Sequence, residues 1–146
     1  MLAEMRLHVV WIGRVKFDWV RAACEEYALR SRRFMRLELS EIDRRQGEPG
    51  LLKKAAKGRL WLLDPAGAEL TSEEFARRLE AAFQHEGREL FLALGGEAGF
   101  SESARRQAER QISLSRLTFS HELARVMLLE QIYRAGTLLA GHPYPR

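Results

Sequence analysis

The sequence predicts an α/β protein in which a parallel β-sheet is covered by helices. Short apolar segments typical of buried strands alternate along the chain with segments whose apolar residues recur at helical spacing. The chain has 146 residues, of which 46% are hydrophobic and 30% are charged. This composition suits one globular domain over residues 1–146, and we find no internal repeat or linker.

The first part of the chain contains three predicted strands and one clear helix. Residues 6–13 (RLHVVWIG) are rich in strand-forming types and end in glycine, whereas apolar positions in residues 17–33 recur at helical spacing. Apolar and polar residues alternate through 35–42, which predicts a strand with one exposed face. Residues 43–58 suggest a loop followed by at most two helical turns. The run RLWLLD at 59–64 predicts a buried strand that ends at the turn PAG.

The middle of the chain contains a helix with defined ends, followed by a strand. Thr71 and Glu74 fit a capping box at the start of residues 70–87, and Gly87 is expected to end the helix. The apolar segment 88–96 predicts a buried strand that stops at a glycine pair. Strand and helix therefore continue to alternate.

The last part of the chain predicts two helices and a short strand. Residues 101–111 form a short polar helix with Ser101 as its N-terminal cap, and residues 112–117 predict a fifth strand. A long helix then runs over residues 121–139. The polar side chains just before it are unusual in so apolar a segment, because an unpaired buried polar group costs about 1–3 kcal/mol.

The long helix is apolar on nearly all sides. Its main apolar face carries Leu128, Leu129, Ile132, Ala135 and Leu139. Three further apolar residues lie on the opposite side, namely Leu123, Met127 and Leu138. Glu130 and Arg134 are placed to pair there at i,i+4. Arg125 projects into the main face, either as a surface charge or as a buried cation. The helix is therefore expected to be covered on two sides, with a subunit interface as one cover.

Charge and cysteine content narrow the classes of function. The net charge of +4 is compatible with a nucleic-acid partner, although many enzymes carry the same balance. The only cysteine, Cys24, excludes an internal disulfide, suggests a buried inert thiol and favours a cytoplasmic location. The histidines are scattered at His8, His85, His121 and His142, so no metal site is expected. No apolar run approaches the roughly 20 residues that span a membrane.

Three segments follow predicted strands and could therefore bind a ligand, since ligands of open parallel sheets lie beyond the carboxyl ends of the strands. They are residues 62–67 (LLDPAG), 94–100 (LGGEAGF) and 114–121 (LSRLTFSH). The glycines would let backbone groups approach a ligand closely, but GGEAG is not a phosphate-binding motif. Taken alone, these glycines are better explained by an ordinary turn.

The same segments resemble a known family. LALGGEAGFS at 92–101, SLSRLTFSHELARVMLLEQIYRA at 113–135 and GHPYPR at 141–146 are similar to the RlmH family, SPOUT-class methyltransferases that act on bacterial large-subunit ribosomal RNA. The similarity covers nearly the whole chain from Met5. It implies a C-terminal trefoil knot, a homodimer and S-adenosylmethionine as cofactor. The predicted cofactor-binding residues are Leu63, Gly95, Leu114, Ser115, Arg116, Leu117, Thr118 and Phe119. On this interpretation the cofactor satisfies the polar groups of that loop.

The resemblance also implies a reaction, which is methylation at N3 of a pseudouridine in the 23S rRNA of the ribosome. We predict three catalytic residues in the tail, His142, Tyr144 and Arg146, with His142 as the remaining candidate base. Arg125 and Arg134 are predicted RNA contacts.

Three departures from the family pattern bear on this prediction. Pro145 stands where the family usually has histidine, Ser120 stands where it commonly has proline, and the loop around residues 44–54 is short. The tail could therefore be only a proline-stiffened end of the chain. An RNA-binding or ribosome-assembly module with lost or altered activity is the alternative function.

Overall fold

Five strands and five helices alternate along residues 4, 6–84 and 89–145, which are the residues that the computed structural model describes. The strands are β1 (Arg6–Ile12), β2 (Arg36–Ile42), β3 (Arg59–Glu69), β4 (Leu90–Leu94) and β5 (Arg110–Ser113). The helices are α1 (Asp18–Ser31), α2 (Gly47–Ala55), α3 (Ser72–Ala82), α4 (Glu102–Gln107) and α5 (His121–Ala140). All neighbouring strands pair in parallel in the order β2-β1-β4-β3-β5, so the predicted fold class is confirmed.

Helices cover both faces of the sheet. Because successive strand residues point to opposite faces, Val9, Trp61 and Leu92 pack with α1, α3 and α5, whereas Val10 and Leu62 pack with α2 and α4. All five of these side chains are buried. This two-sided burial is the reason that β1, β4 and the first half of β3 read as nearly continuous apolar runs, whereas the edge strand β2 alternates and has an exposed face, as predicted.

The predicted helix starts are present in the structure. The Thr71 hydroxyl accepts a hydrogen bond from the Glu74 amide over 3.1 Å, and the Glu74 carboxylate accepts one from the Thr71 amide over 3.3 Å. The Ser101 hydroxyl caps α4 in a similar way. Helix α3 ends at Ala82, and Gly87, its expected terminator, lies outside the described residues together with His85.

Two elements are longer than predicted. Helix α2 begins at Gly47, inside the expected loop, because burial of Leu51 and Ala55 against the sheet outweighs the turn-forming residues. Strand β3 continues through the expected turn to Glu69, with an irregularity in its pairing to β5. This continuation needs glycine at position 67, where a Cβ atom would lie 2.6 Å from the Ile112 backbone nitrogen.

Helix α5 packs against α1 and α3 along its main apolar face. Leu128, Leu129 and Ile132 are fully buried there. The opposite side is half-buried at three apolar positions, Leu123, Met127 and Leu138. The predicted pair on this side is confirmed, since Arg134 Nη2 lies 2.9 Å from Glu130 Oε2.

Cys24 is a buried thiol on α1, as predicted. Burial raises its pKa to about 11, and the nearby Arg125 guanidinium offsets only part of this effect. The thiolate, which is the reactive form, is therefore disfavoured at neutral pH.

Candidate functional site

A cavity of about 300 Å³ lies at the carboxyl ends of β4 and β5, beside residues 63–65 of β3, where the pairing of β3 with β4 ends. It is closed on one side by the segment between β5 and α5. All eight predicted cofactor-binding residues line it, namely Leu63, Gly95, Leu114, Ser115, Arg116, Leu117, Thr118 and Phe119. Residues separated by more than 50 positions in the sequence thus meet around one space, at the position expected for a ligand of a parallel sheet.

The loop between β5 and α5 is held by its own hydroxyl groups. The fifth strand is shifted from its predicted range of 112–117, since α4 ends at Gln107 and β5 runs over Arg110–Ser113. Beyond the strand, the Ser113 hydroxyl donates to the Ser115 carbonyl oxygen over 2.9 Å. The Ser115 hydroxyl accepts a hydrogen bond from the Leu117 amide over 3.0 Å, and the Ser120 hydroxyl caps α5. These serines therefore have partners in the protein, which corrects our expectation that a ligand was needed to satisfy them. Leu117 is left 74% exposed at the cavity.

The glycine segment after β4 leaves room on the other side of the cavity. A Cβ atom on Gly95 would lie 3.2 Å from the Phe100 ring, which is buried below it. A Cβ atom on Gly96 would meet nothing within 4 Å. A side chain at position 95 would therefore crowd Phe100 or enter the cavity.

Asp64 also lines the cavity, and sequence reasoning gave it no role. Its carboxylate is 5% exposed and accepts hydrogen bonds from the Ala66 amide and from Arg105 Nε, each over 2.9 Å. The hydrogen bond with Asp64 is the main cause of the raised pKa of Arg105. The sequence signal that could have indicated a role for Asp64 is a charged residue at the end of the predicted buried strand 59–64. The pair joins α4 to the wall of the cavity.

The predicted catalytic tail of this chain lies away from the cavity of the same chain. The Tyr144 hydroxyl donates to Glu130 Oε2 over 3.0 Å, and Arg134 donates to the Pro145 carbonyl oxygen over 2.7 Å. His142 is exposed and lies edge-on to the Phe34 ring. The tail borders a groove of about 870 Å³ that shares no lining residue with the cavity. Arg146, the third predicted residue, lies outside the described residues.

Two features of the tail change the predicted roles. Burial and the hydrogen bond to Glu130 raise the pKa of Tyr144, so its hydroxyl stays protonated and acts as a donor. Arg134 is engaged by Glu130, by Pro145 and by the Tyr144 ring, whose centroid lies 4.7 Å from its guanidinium carbon. Arg134 therefore holds the tail against α5 in this conformation.

Arg125 is a buried cation, which settles the alternative left open by the sequence. It is 5% exposed, with Nη1 2.8 Å from Glu122 Oε2 and Nη2 2.9 Å from the Ile12 carbonyl oxygen. Its guanidinium also lies 5.1 Å from the centroid of the Trp11 ring. We expected Arg125 to contact RNA, but a guanidinium that is buried and bonded within the chain has a structural role instead.

The described residues contain no group of three histidine, cysteine, aspartate or glutamate side chains that could hold a metal ion. In the same part of the chain, no helix is both long and apolar enough to cross a membrane.

This fold is shared with solved structures of other proteins. A probable methylase family protein from Haemophilus influenzae aligns with a TM-score of 0.59 and 9% identity, covering 100% of this chain and 73% of that one. The SpoU methyltransferase AviRb from Streptomyces viridochromogenes, solved in complex with AdoMet, aligns with a TM-score of 0.54 and 12% identity, covering 98% and 61%. At such identities the likeness concerns the fold alone.

The amino-acid sequence identifies the class and then the family. A family model described as "Predicted SPOUT methyltransferase" matches residues 5–145, which makes the protein a SPOUT-class methyltransferase. Relatives named ribosomal RNA large subunit methyltransferase H are 46% identical in Thermus thermophilus, over 97% of this chain and 99% of the relative, and 41% identical in Geobacter sulfurreducens, over 96% and 99%. The chain belongs to this family of ribosomal RNA large subunit methyltransferases H, as the sequence resemblance predicted.

Proposed function

We propose that this protein transfers a methyl group from S-adenosylmethionine to N3 of a pseudouridine in the 23S rRNA of the ribosome. One observation carries the proposal: the cavity at the carboxyl ends of β4 and β5 gathers all eight residues predicted to hold the cofactor. Relatives named as rRNA methyltransferases, 41–46% identical over nearly the full chain, support the substrate class.

The cavity has features that suit this cofactor. Leu63, Leu94 and Phe119 offer apolar surface for a flat purine ring, and Gly95 leaves its backbone accessible. Asp64 and Arg116 add polar groups to the lining. The bound cofactor supplies an electrophilic methyl group, and the work of this chain is mainly to position that group and the uracil ring in line.

The N3 proton must leave during transfer, so a base or a stabilising cation is required. Tyr144 is not that base, because its pKa is raised and its hydroxyl donates a hydrogen bond to Glu130. His142 remains the candidate in the described part of the tail, with an exposed ring. Tyr144 then positions the tail rather than moving the proton.

A homodimer brings the tail and the cavity together in this proposal. His121 and Ala124, at the beginning of α5, line the cavity, whereas Thr137 and Gly141, at its end, line the tail groove. A helix of 20 residues spans about 30 Å. If two copies pair through α5 about a two-fold axis, antiparallel helices place the tail of one copy beside the cavity of the other. The half-buried apolar side of α5 supplies the contact surface.

The experiment that tests the function uses a strain from which the gene has been deleted. Its 23S rRNA is expected to lack one N3-methylated pseudouridine when the nucleosides are analysed by mass spectrometry. Purified protein with S-adenosylmethionine is expected to restore this modification on isolated ribosomes. Unchanged nucleosides in the deletion strain contradict the proposal.

A second candidate, an RNA-binding or assembly module, is motivated by Pro145 in the tail. Calorimetry separates the two candidates. Binding of S-adenosylmethionine or of ribosomes without any methyl transfer favours the module. The trefoil knot and the cytoplasmic location implied by the sequence stay predictions.

A further inference from the structure

A basic and aromatic surface lies next to the cofactor cavity, beyond the carboxyl ends of β1 and β2. We define this basic–aromatic surface by five exposed residues, Arg14, Lys16, Phe17, Trp19 and Arg44. No role was assigned to any of them from the sequence or from the site described above.

The three cations of this surface face solvent together. Arg14, Lys16 and Arg44 line two adjoining depressions of about 530 and 410 Å³. None of the three forms an ion pair with any residue that the structure describes. Unpaired cations grouped around a depression attract anions such as phosphate.

The loop that carries Arg14, Lys16 and Phe17 is held rigidly by two carboxylates. Glu41 Oε2 accepts from the Val15 amide over 2.9 Å. Glu122 Oε1 accepts from the Lys16 and Phe17 amides over 2.7 and 3.1 Å. These nearby acids are thus engaged with backbone groups, and with Arg21 and Arg125 respectively. The surface is therefore preorganised before any ligand binds.

The bend at Gly13, just before this loop, leaves space for the side chain of the third cation, Arg44. Gly13 has φ +89°, a conformation that favours glycine. A Cβ atom there would lie 3.1 Å from Arg44 Nε, so the absence of a side chain lets Arg44 lie over the bend. Arg44 thereby lines the same two depressions as Arg14 and Lys16.

Two aromatic rings complete the surface. Phe17 is 51% exposed and Trp19 is 60% exposed, and their ring centroids lie 6.1 Å apart with an interplanar angle of 21°. The other two tryptophans, Trp11 and Trp61, are buried. Exposed stacked rings beside cations are the arrangement with which proteins hold unpaired bases of RNA.

We propose that the basic–aromatic surface binds a single-stranded segment of the substrate RNA next to the methylated nucleotide. Arg14, Lys16 and Arg44 contact backbone phosphates, and Phe17 with Trp19 stacks on an unpaired base. The surface is continuous with the cofactor cavity, because Gly96, Glu97 and His121 line both. The inference rests on the proposed function for the identity of the RNA. The cations favour RNA over an apolar protein partner.

The stacking is tested with Trp19→Ala and with Leu29→Ala as a matched control, since Leu29 is a 63% exposed apolar residue of the same helix. Trp19→Ala is expected to lower kcat/KM for methylation of unmodified ribosomes at least about fivefold, the lower end for loss of one stacked base. Leu29→Ala is expected to have no effect. Calorimetric affinity for S-adenosylmethionine is expected to stay unchanged in both.

The phosphate contacts are tested with the double variant Arg14→Glu/Arg44→Glu. Arg36→Glu/Lys54→Glu is the control, with the same change in net charge at two exposed positions, the amino end of β2 and α2. Activity is measured over a range of KCl concentrations. The first variant is expected to lower kcat/KM and to reduce the slope of its logarithm against log[KCl] by about 1 per lost phosphate contact. The control is expected to keep the wild-type slope.

Three results separate the possible outcomes. Equal kcat/KM in the test and control variants overturns the proposal, and so does a change in sedimentation that occurs only in the test variants, which would assign the surface to a second copy of the chain. A wild-type protein that methylates no ribosomes contradicts the proposed function instead.

If the wild-type protein methylates no ribosomes, titration of its tryptophan fluorescence with a single-stranded uridine 12-mer still tests whether the surface binds RNA. Quenching that Trp19→Phe abolishes supports it, and unchanged fluorescence overturns it.

Discussion

Arg125 Nη2, on α5, donates a hydrogen bond to the carbonyl oxygen of Ile12 at the end of β1, over 2.9 Å. Its Nη1 donates a hydrogen bond to the Glu122 carboxylate, and that carboxylate also accepts hydrogen bonds from the Lys16 and Phe17 amides. One buried cation thus connects the beginning of the long helix, the interior strand β1 and the loop of the basic–aromatic surface.

Arg125→Met is expected to lower the free energy of unfolding by about 3 kcal/mol, because it leaves the Ile12 carbonyl and the Glu122 carboxylate without their buried partner. Urea denaturation monitored by circular dichroism measures the change. Arg36→Met, at an exposed position of β2, serves as the control and is expected to stay within about 0.5 kcal/mol of wild type. Equal stability of the two variants would show that the buried contacts of Arg125 are not stabilising.

Gly95→Val is expected to abolish binding of S-adenosylmethionine while the protein stays folded. The branched side chain would crowd Phe100, 3.2 Å from the first added carbon, and would extend into the cavity. Calorimetry measures the binding and thermal unfolding verifies the fold. Gly96→Ala, where the added carbon meets nothing within 4 Å, is expected to retain binding. Wild-type affinity in a folded Gly95→Val protein would place the cofactor elsewhere.

Met127→Asp or Leu138→Asp is expected to convert a dimer into monomers or unfolded chains. Either change would bury an unpaired charge in the proposed contact along α5, at a cost of several kcal/mol. Analytical ultracentrifugation at micromolar concentration measures the state, and Lys54→Asp on α2 is the control, with an exposed side chain. A monomeric wild-type protein, or dimeric variants, would argue against this interface.

Removal of residues 142–146 is expected to leave S-adenosylmethionine binding intact and to lower methyl transfer at least about 100-fold, as expected for loss of an acid–base or positioning group. Single variants His142→Ala and Arg146→Ala are expected to divide this loss. Transfer at the wild-type rate by the truncated enzyme would mean that the tail has no catalytic part and that the proton leaves to solvent.

Mixing two inactive variants tests whether the tail acts on the cavity of its partner. Truncated chains keep a complete cavity, whereas Gly95→Val chains keep a complete tail, so mixed dimers contain one complete site. Activity is expected to reappear when the two proteins are mixed and allowed to exchange subunits. Mixtures that form dimers but stay inactive would place the tail and the cavity it serves in the same chain.

Local patterns were sufficient to predict the alternation of strands and helices, the capping residues of α3 and α4, and the buried thiol of Cys24. Each depends on neighbouring residues and on the periodicity of burial, which the order of amino acids records directly. The cavity residues were predicted through the family resemblance, and the structure brings them together because the carboxyl ends of parallel strands meet at one edge.

Tertiary structure alone decided features that depend on residues far apart in the chain. The helical wheel left Arg125 undecided until β1 supplied the Ile12 carbonyl, 113 positions away, as its partner. The extension of β3 through an expected turn depends on the fit of Gly67 against β5. The sequence likewise could not show that the tail packs on Glu130, or that Asp64 pairs with Arg105, because the partner of a buried polar group is set by packing in space and not by spacing along the chain.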